Sequence, residues 1–230
     1  AKVVGQPCVA EFKQPLSGLV IDNRTVTTPA GSPRRLQVLR LPGENRVLLQ
    51  GELPLDGKVE ENEATMERPA EWFARALHEA LKRAGITVEG RAVGVRWPEA
   101  PRTGAVRIGE IKSAPLRDIV ATINKPSQNL KTDLIFGYLG ELDRAADTPA
   151  WRQSEELAVV ALGKFLRSAG IAPGGTIFEE GSGLSLNNLT TAADTARLLQ
   201  FMATHKERDA FVASLPVAGV DGSLRKRMKG

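Results

Sequence analysis

Apolar positions along this chain follow two different periods. Up to about residue 66 they come in short β-branched runs separated by polar turns, and from residue 69 they recur mainly at spacings of three and four. Gly18-Leu19-Val20-Ile21 predicts a strand ending in an Asp22-Asn23 turn, with Thr25-Val26-Thr27-Thr28 as the next strand. Leu36 to Leu41 and Arg46 to Gly51 flank Pro42-Gly43-Glu44-Asn45 and predict a hairpin. Mixed polar and apolar positions imply a small antiparallel sheet with one solvated face. A helix is then predicted over Pro69 to Gly85, where Phe73, Ala76, Leu77, Ala80, Leu81 and Ala84 form one buried stripe. His78 lies on its other face and reads as solvated. Val88 to Trp97 reads as a further strand, with Trp97 as a packing aromatic.

Pro98-Glu99-Ala100-Pro101-Arg102-Thr103-Gly104 carries two prolines and a glycine and marks a domain boundary, giving a β-rich region 1–105 and a second region 106–230. The second region is entered through a predicted strand, Val106 to Ile111, and is helical from Ser113. Leu116, Ile119, Val120 and Ile123 form the stripe of one helix. Pro126 should stop it, because proline lacks the N–H and pushes Lys125 out of the α region. Leu130, Leu134, Ile135, Tyr138, Leu139 and Leu142 restart a buried stripe, with Asn129 or Ser127 as the cap. The turn Asn124 to Leu130 therefore holds a hydroxyl and an amide two residues apart between two helices. Thr148 with Pro149 should open another helix, with stripe Leu157, Val160, Ala161 and Phe165 and a stop at Gly170. A polar loop, Glu180 to Ser185, precedes a helix capped by Thr190 or Thr191 that carries Ala192, Ala196, Leu199 and Ala203 on one face. A last short helix is expected around Phe211 and Leu215.

Composition changes this picture little. The net charge of +4 lies mostly in the last ten residues, where Arg225, Lys226, Arg227 and Lys229 face only Asp221, +3 in all. A solvated basic tail accounts for it, and nucleic acid is not an expected partner. One cysteine, Cys8, excludes an intrachain disulfide and a multi-cysteine metal site. There is no 18-residue apolar run and no signal-like N-terminus, as expected of a cytosolic protein or of a mature exported form.

Known chemical signatures are mostly missing. No G-x-G-x-x-G or G-x-x-x-x-G-K-[ST] follows a strand, and two histidines without H-E-x-x-H do not support a zinc hydrolase. Glu155-Glu156 and Glu179-Glu180 are adjacent in sequence, should point apart, and read as solvated faces. No G-x-S-x-G elbow occurs. Ser127-x-Asn129 remains. In serine acyl-transfer enzymes that use lysine in place of histidine, S-x-x-K holds the nucleophile and S-x-N and K-T-G complete the cleft.

Around that motif the wording resembles a family. Ile111-Lys112-Ser113-Ala114-Pro115-Leu116 running into Ile123 to Leu130 is similar to the S-x-N region of the low-molecular-mass class C penicillin-binding proteins, the D-alanyl-D-alanine carboxypeptidase/endopeptidases. Gly181-Ser182-Gly183-Leu184-Ser185 with Asn188-Leu189-Thr190 resembles their D-G-S-G-L-S segment, with Glu180 in place of the aspartate. Leu215 to Leu224 resembles a stretch shortly before K-T-G, and residues 1–105 more loosely resemble the insert between S-x-x-K and S-x-N. The resemblance implies an α+β fold: the helical part of a serine β-lactamase/transpeptidase-like domain plus a β-rich inserted domain.

It also implies a periplasmic serine carboxypeptidase acting on peptidoglycan stem peptides through an acyl-enzyme, inhibited by β-lactams, without metal or organic cofactor and with peripheral membrane or envelope association left open. Ser127 would relay a proton and Asn129 orient substrate. Lys125 would add positive charge at the cleft, and Ser182 and Gly183 would form part of its wall. The one literal S-x-x-K, Ser223 to Lys226, lies where the family has no nucleophile, and no K-T-G occurs. The sequence is therefore expected to be an internal part of a longer enzyme, or a chain with further residues, and to be inactive alone. The rival reading is a non-catalytic envelope binding module on the same fold.

Overall fold

In the computed structural model, residues 2–13, 18–95, 104 and 106–228 are described. Trp97 and the expected linker up to Thr103 fall outside them. The chain divides into two compact units, Ala1–Gly104 and Ala105–Gly230.

The first unit holds a three-stranded sheet, β1 (Val20–Thr28), β2 (Arg35–Arg40) and β3 (Arg46–Pro54), in the order β1-β3-β2. The hairpin of β2 and β3 is antiparallel, running from Arg35 opposite Glu52 to Arg40 opposite Val47. β1, however, pairs with β3 in parallel, from Val20 opposite Arg46 to Thr28 opposite Pro54, so the sheet is mixed and not antiparallel. The chain between β1 and β3 carries β2 to the far edge. The other edge of β1 is taken by Gly5 and Gln6, which exchange backbone hydrogen bonds with Thr27 at 2.8 and 2.9 Å.

No turn forms at Asp22-Asn23, because their polar groups find partners within a continuous strand. Asp22 accepts from Arg24 and Arg46, while the Asn23 amide donates to the Cys8 carbonyl at 2.6 Å and its oxygen accepts from the Thr25 N–H at 3.1 Å. The core here is small and partly polar: Cys8, Thr25, Thr27 and Val47 are buried, and the Cys8 N–H donates to the Thr25 hydroxyl.

Helix α1 spans Pro69–Arg83. Its stop at Gly85 matches the glycine signal, with the Ile86 N–H reaching the Leu81 carbonyl at 3.0 Å. The stripe expected to be buried is not: Phe73 and Leu77 are exposed, and no residue of α1 is buried. Periodicity marks an apolar face without saying what covers it. Residues 88–95 form no strand.

The second unit is helical: α2 (Leu116–Asn124), α3 (Asn129–Leu142), α4 (Ser154–Ser168), α5 (Ala192–Thr204) and α6 (Arg208–Ser214), then a 3₁₀ turn at Gly222–Leu224. Its core joins α4 and α5. Leu166, Ala169 and Ile171 pack with Leu162, Phe178, Leu198 and Phe201, and the Phe165 and Phe201 rings meet edge to face at 5.8 Å. Thr191 caps α5, its hydroxyl accepting from the Asp194 N–H at 3.0 Å.

Helices α3 and α4 pack through Gly140 and the start of α4. A Cβ on Gly140 would lie 1.8 Å from the Ser154 carbonyl oxygen, so only glycine permits this approach. Glu141 fastens the same corner, accepting two hydrogen bonds from Arg144 and one from the Ser154 hydroxyl; chiefly through Arg144, its carboxyl is held at about 2. Helix α4 therefore begins at Ser154 and not at Thr148, whose hydroxyl instead closes a turn by accepting from the Ala145 N–H. Within α4 the buried residues are Leu157, Ala158 and Leu166, whereas Val160 and Phe165 are exposed.

Two further expectations fail. Val106 to Ile111 belongs to no strand, with Ile108 97% and Ile111 100% exposed. In α3, Leu130, Leu134, Tyr138 and Leu142 are 61–70% exposed, and the buried residues are Phe136 and Gly140. Each such side chain would gain roughly 1.5–3 kcal/mol on full burial. No described helix is long and apolar enough to cross a membrane.

Candidate functional site

Helix α2 ends at Asn124, close to the expected stop, but by a different route. Lys125 stays helical at φ −60°, ψ −53°, and the chain leaves the helix at Ser127, which is left-handed at φ 65°. The Gln128 N–H reaches back to the Ile123 carbonyl at 3.0 Å, the long-range bond of a helix C-terminal turn that glycine usually completes. A serine there costs about 1 kcal/mol or more over glycine. Ser127 is exposed, and among the described residues no group hydrogen-bonds its hydroxyl.

Neither Ser127 nor Asn129 caps α3. Gln128 is the cap residue, without a side-chain bond, and Asn129 is the first helical position, also exposed. A hydroxyl and an amide are thus displayed on a turn between two helices.

Lys125 is differently placed. Its ammonium donates to the Asp221 carboxylate at 2.6 Å and to the Leu215 carbonyl at 3.1 Å, so the charge expected at the cleft is paired within the fold. The Lys125 hydrogen bond, and then the Val217 N–H, hold the Asp221 carboxyl below the usual carboxylate range.

The loop containing Ser182 and Gly183 is attached to α3. Asp133, four residues and so about 6 Å of helix rise after Asn129, accepts from the Gly181 and Ser182 N–H groups at 3.0 and 2.9 Å. A Cβ on Gly181 would sit 2.8 Å from the Phe136 Cβ, so the loop lies directly on the helix. One face of α3 therefore brings Asn129 and the 181–183 loop to neighbouring turns.

The adjacent glutamates, which read as solvated, are the loop's organisers. Glu180 accepts from the Ser182 N–H and hydroxyl, from the Gly183 N–H at 2.8 Å and the Ser185 N–H at 3.1 Å, and from the Asn188 amide. Glu179 takes the Ser185 hydroxyl and the Asn187 amide. A run of glycine and serine N–H groups needs acceptors, and the two carboxylates preceding the run were the available signal. Because the Ser182 hydroxyl donates to Glu180, it serves the loop's own structure, and the Gly183 backbone is exposed.

These bonds, the Ser182 hydroxyl first, hold the Glu180 carboxyl at about 2 instead of 4.5. A folded value below the unfolded one means that the stabilisation is complete above about pH 4.5 and is lost as the pH falls through about 2. The amide proton shifts of Gly183 and Ser185 are expected to titrate with a midpoint near 2; a midpoint near 4.5 would show the carboxylate to be free.

Among the described residues, no hydrogen bond joins the Ser223 hydroxyl to Lys226. Ser223 sits in the 3₁₀ turn, its N–H bonded to the Lys125 carbonyl, and Lys226 is exposed beyond that turn. Among the described residues, no three His, Cys, Asp or Glu side chains converge to hold a metal ion.

The chain is 31% identical over 231 residues to a D-alanyl-D-alanine carboxypeptidase from an Actinomadura species, covering 98% of this chain and 42% of that protein. It is 28% identical over 158 residues to the carboxypeptidase DacB of Haemophilus influenzae, covering 68% of this chain and 31% of that one. In structure it resembles penicillin binding protein 4 (dacB) from Haemophilus influenzae, solved in complex with a β-lactam, at a TM-score of 0.69 and 24% identity over 98% of this chain and 50% of that one. This likeness shows a mixed α and β fold. The chain thus spans half or less of the length of these relatives. The model of the D-Ala-D-Ala carboxypeptidase 3 (S13) family matches residues 2–230, and the chain belongs to that family.

Proposed function

We propose that this chain is the S-x-N portion, with its β-rich insert 1–105, of an exported serine carboxypeptidase/endopeptidase that cleaves D-alanyl-D-alanine in peptidoglycan stem peptides and is acylated by β-lactams. The observation that carries the reading is the exposed turn in which a left-handed Ser127 and Asn129 stand free beside a fixed glycine-serine loop, in a chain of this family.

In the reaction, a nucleophilic serine supplied outside residues 1–230 gives its proton to the lysine of the same S-x-x-K segment and attacks the D-Ala carbonyl carbon, and that proton is the one relayed through Ser127. The peptide C–N bond breaks, and the departing amine takes a proton that Ser127 passes to it. Water then attacks the acyl-enzyme ester, freeing the serine and leaving a shortened peptide carboxylate. The Asn129 amide can donate to a substrate carbonyl while its oxygen accepts, fixing the peptide's orientation. Gly183 and its neighbours form one wall of the cleft. The partners are stem peptides and β-lactams, and the expected compartment is the periplasm.

A fluorescent penicillin is expected to label the full-length protein covalently and not residues 1–230 alone. Label on the isolated chain would overturn the placement of the nucleophile, and an unlabelled full-length protein would leave only a binding module.

A further inference from the structure

We propose that Asp221 and Gly222 are positioning residues for the Ser127 turn, and that Lys125 is the handle by which they hold it; the proposal rests on the carboxypeptidase reading. Both ends of Lys125 are gripped from residues about ninety positions later. Its ammonium binds Asp221 and the Leu215 carbonyl, and its own carbonyl accepts from the Ser223 N–H at 2.8 Å. Asp221 is itself fixed, its second oxygen accepting from the Val217 N–H at 2.8 Å.

Gly222 makes the approach feasible. It is left-handed at φ 59°, and a Cβ there would stand 2.4 Å from the Lys125 carbonyl oxygen and 2.8 Å from the Pro216 Cβ. One residue upstream, the Asn124 amide donates to the Ser214 hydroxyl at 2.9 Å; Ser214 is fully buried and donates in turn to the Phe211 carbonyl. Two consecutive residues, Asn124 and Lys125, are thus anchored to the segment 211–223. Only Pro126, with its fixed φ, separates that anchor from Ser127.

The hydroxyl at 127 has no partner of its own among the described residues, so its position follows from the backbone that delivers it. A displacement of Lys125 by a fraction of an ångström passes directly to the atom that must carry the proton. Asp221 acts here through Lys125 and touches no substrate.

The experiment compares Lys125→Met, Asp221→Asn and the double variant in the full-length protein. Acylation rates are measured with a penicillin bearing its free carboxylate and with the same penicillin methyl-esterified. Positioning requires that each single variant slow acylation about ten- to a hundredfold, equally for both penicillins, and that the double variant be no slower than either single. A Lys125 that binds the substrate carboxylate would give loss in Lys125→Met alone and with the free acid alone, which overturns the proposal. Unchanged acylation in Asp221→Asn also overturns it.

Should a single variant fail to fold, Lys125→Met with Asp221→Leu leaves no unpaired charge. Slow acylation of that folded pair supports the proposal, and the unsubstituted rate sinks it. If the unsubstituted protein is not acylated, or Ser127→Ala is acylated normally, the carboxypeptidase reading itself falls and the inference with it.

Discussion

Replacing Ser127 by alanine in the full-length protein is expected to slow acylation by a fluorescent penicillin by about 10²-fold or more, the scale of a lost proton transfer. The substitution suits the test because the serine hydroxyl holds nothing in place: the side chain is exposed and no described group bonds to it. Alanine at φ 65° meets nearly the same backbone penalty as serine, so the turn and the melting temperature should stay as they are. What remains is the loss of one exposed hydroxyl. An unchanged acylation rate would remove Ser127 from the mechanism. A lowered rate accompanied by a lowered melting temperature would point to the turn's stability instead of its chemistry.

A second large effect is expected far from any substrate. Gly140→Ala should destabilise the helical unit by about 3 kcal/mol, lowering its melting temperature by roughly 10–15 °C. The new methyl group would stand 1.8 Å from the Ser154 carbonyl oxygen and 2.8 Å from the Ala158 N–H, both backbone groups that no rotamer change can move. Either α3 and α4 separate, opening the junction held by Glu141, Arg144 and Ser154, or α4 bends. Since α3 also carries Asn129 and the Asp133 that grips the 181–183 loop, acylation should fall along with stability. Thermal and urea unfolding measure the first effect. A variant as stable as the parent would show that these helices do not approach so closely.

Local signals were legible where the physics is local. Proline and glycine bounded α1, a threonine capped α5, and the polar turn at Pro42 to Asn45 produced the β2–β3 hairpin. The S-x-N turn could be read because a proline between two periodic runs has few other outcomes.

Burial was not legible. The stripes on α1 and α3 have the right period and yet face outward, because amphipathicity describes the helix and not its neighbours. Val106 to Ile111 has strand composition, but no strand pairs with it among the described residues, and a strand exists only as a pair. The long-range polar partners were equally hidden. Asp133, Asp221 and Ser214 sit unmarked in their own neighbourhoods, and their roles arise from residues 48 to 96 positions away. Glu180 lies closer to being readable, since a glycine-serine loop with many N–H groups has to find acceptors nearby.

The grip of residues 211–223 on Asn124 and Lys125 also sets an order of events. As the polypeptide is synthesised, α2 and α3 can coil as soon as they emerge, within about a microsecond. The turn between them cannot reach its final geometry until nearly a hundred further residues have been made and the closing contacts formed across that loop. A nascent chain not yet extended to Ser223 therefore carries Ser127 and Asn129 without the contacts that anchor Asn124 and Lys125. The Ser127 turn is encoded midway along these residues and completed by almost the last of them.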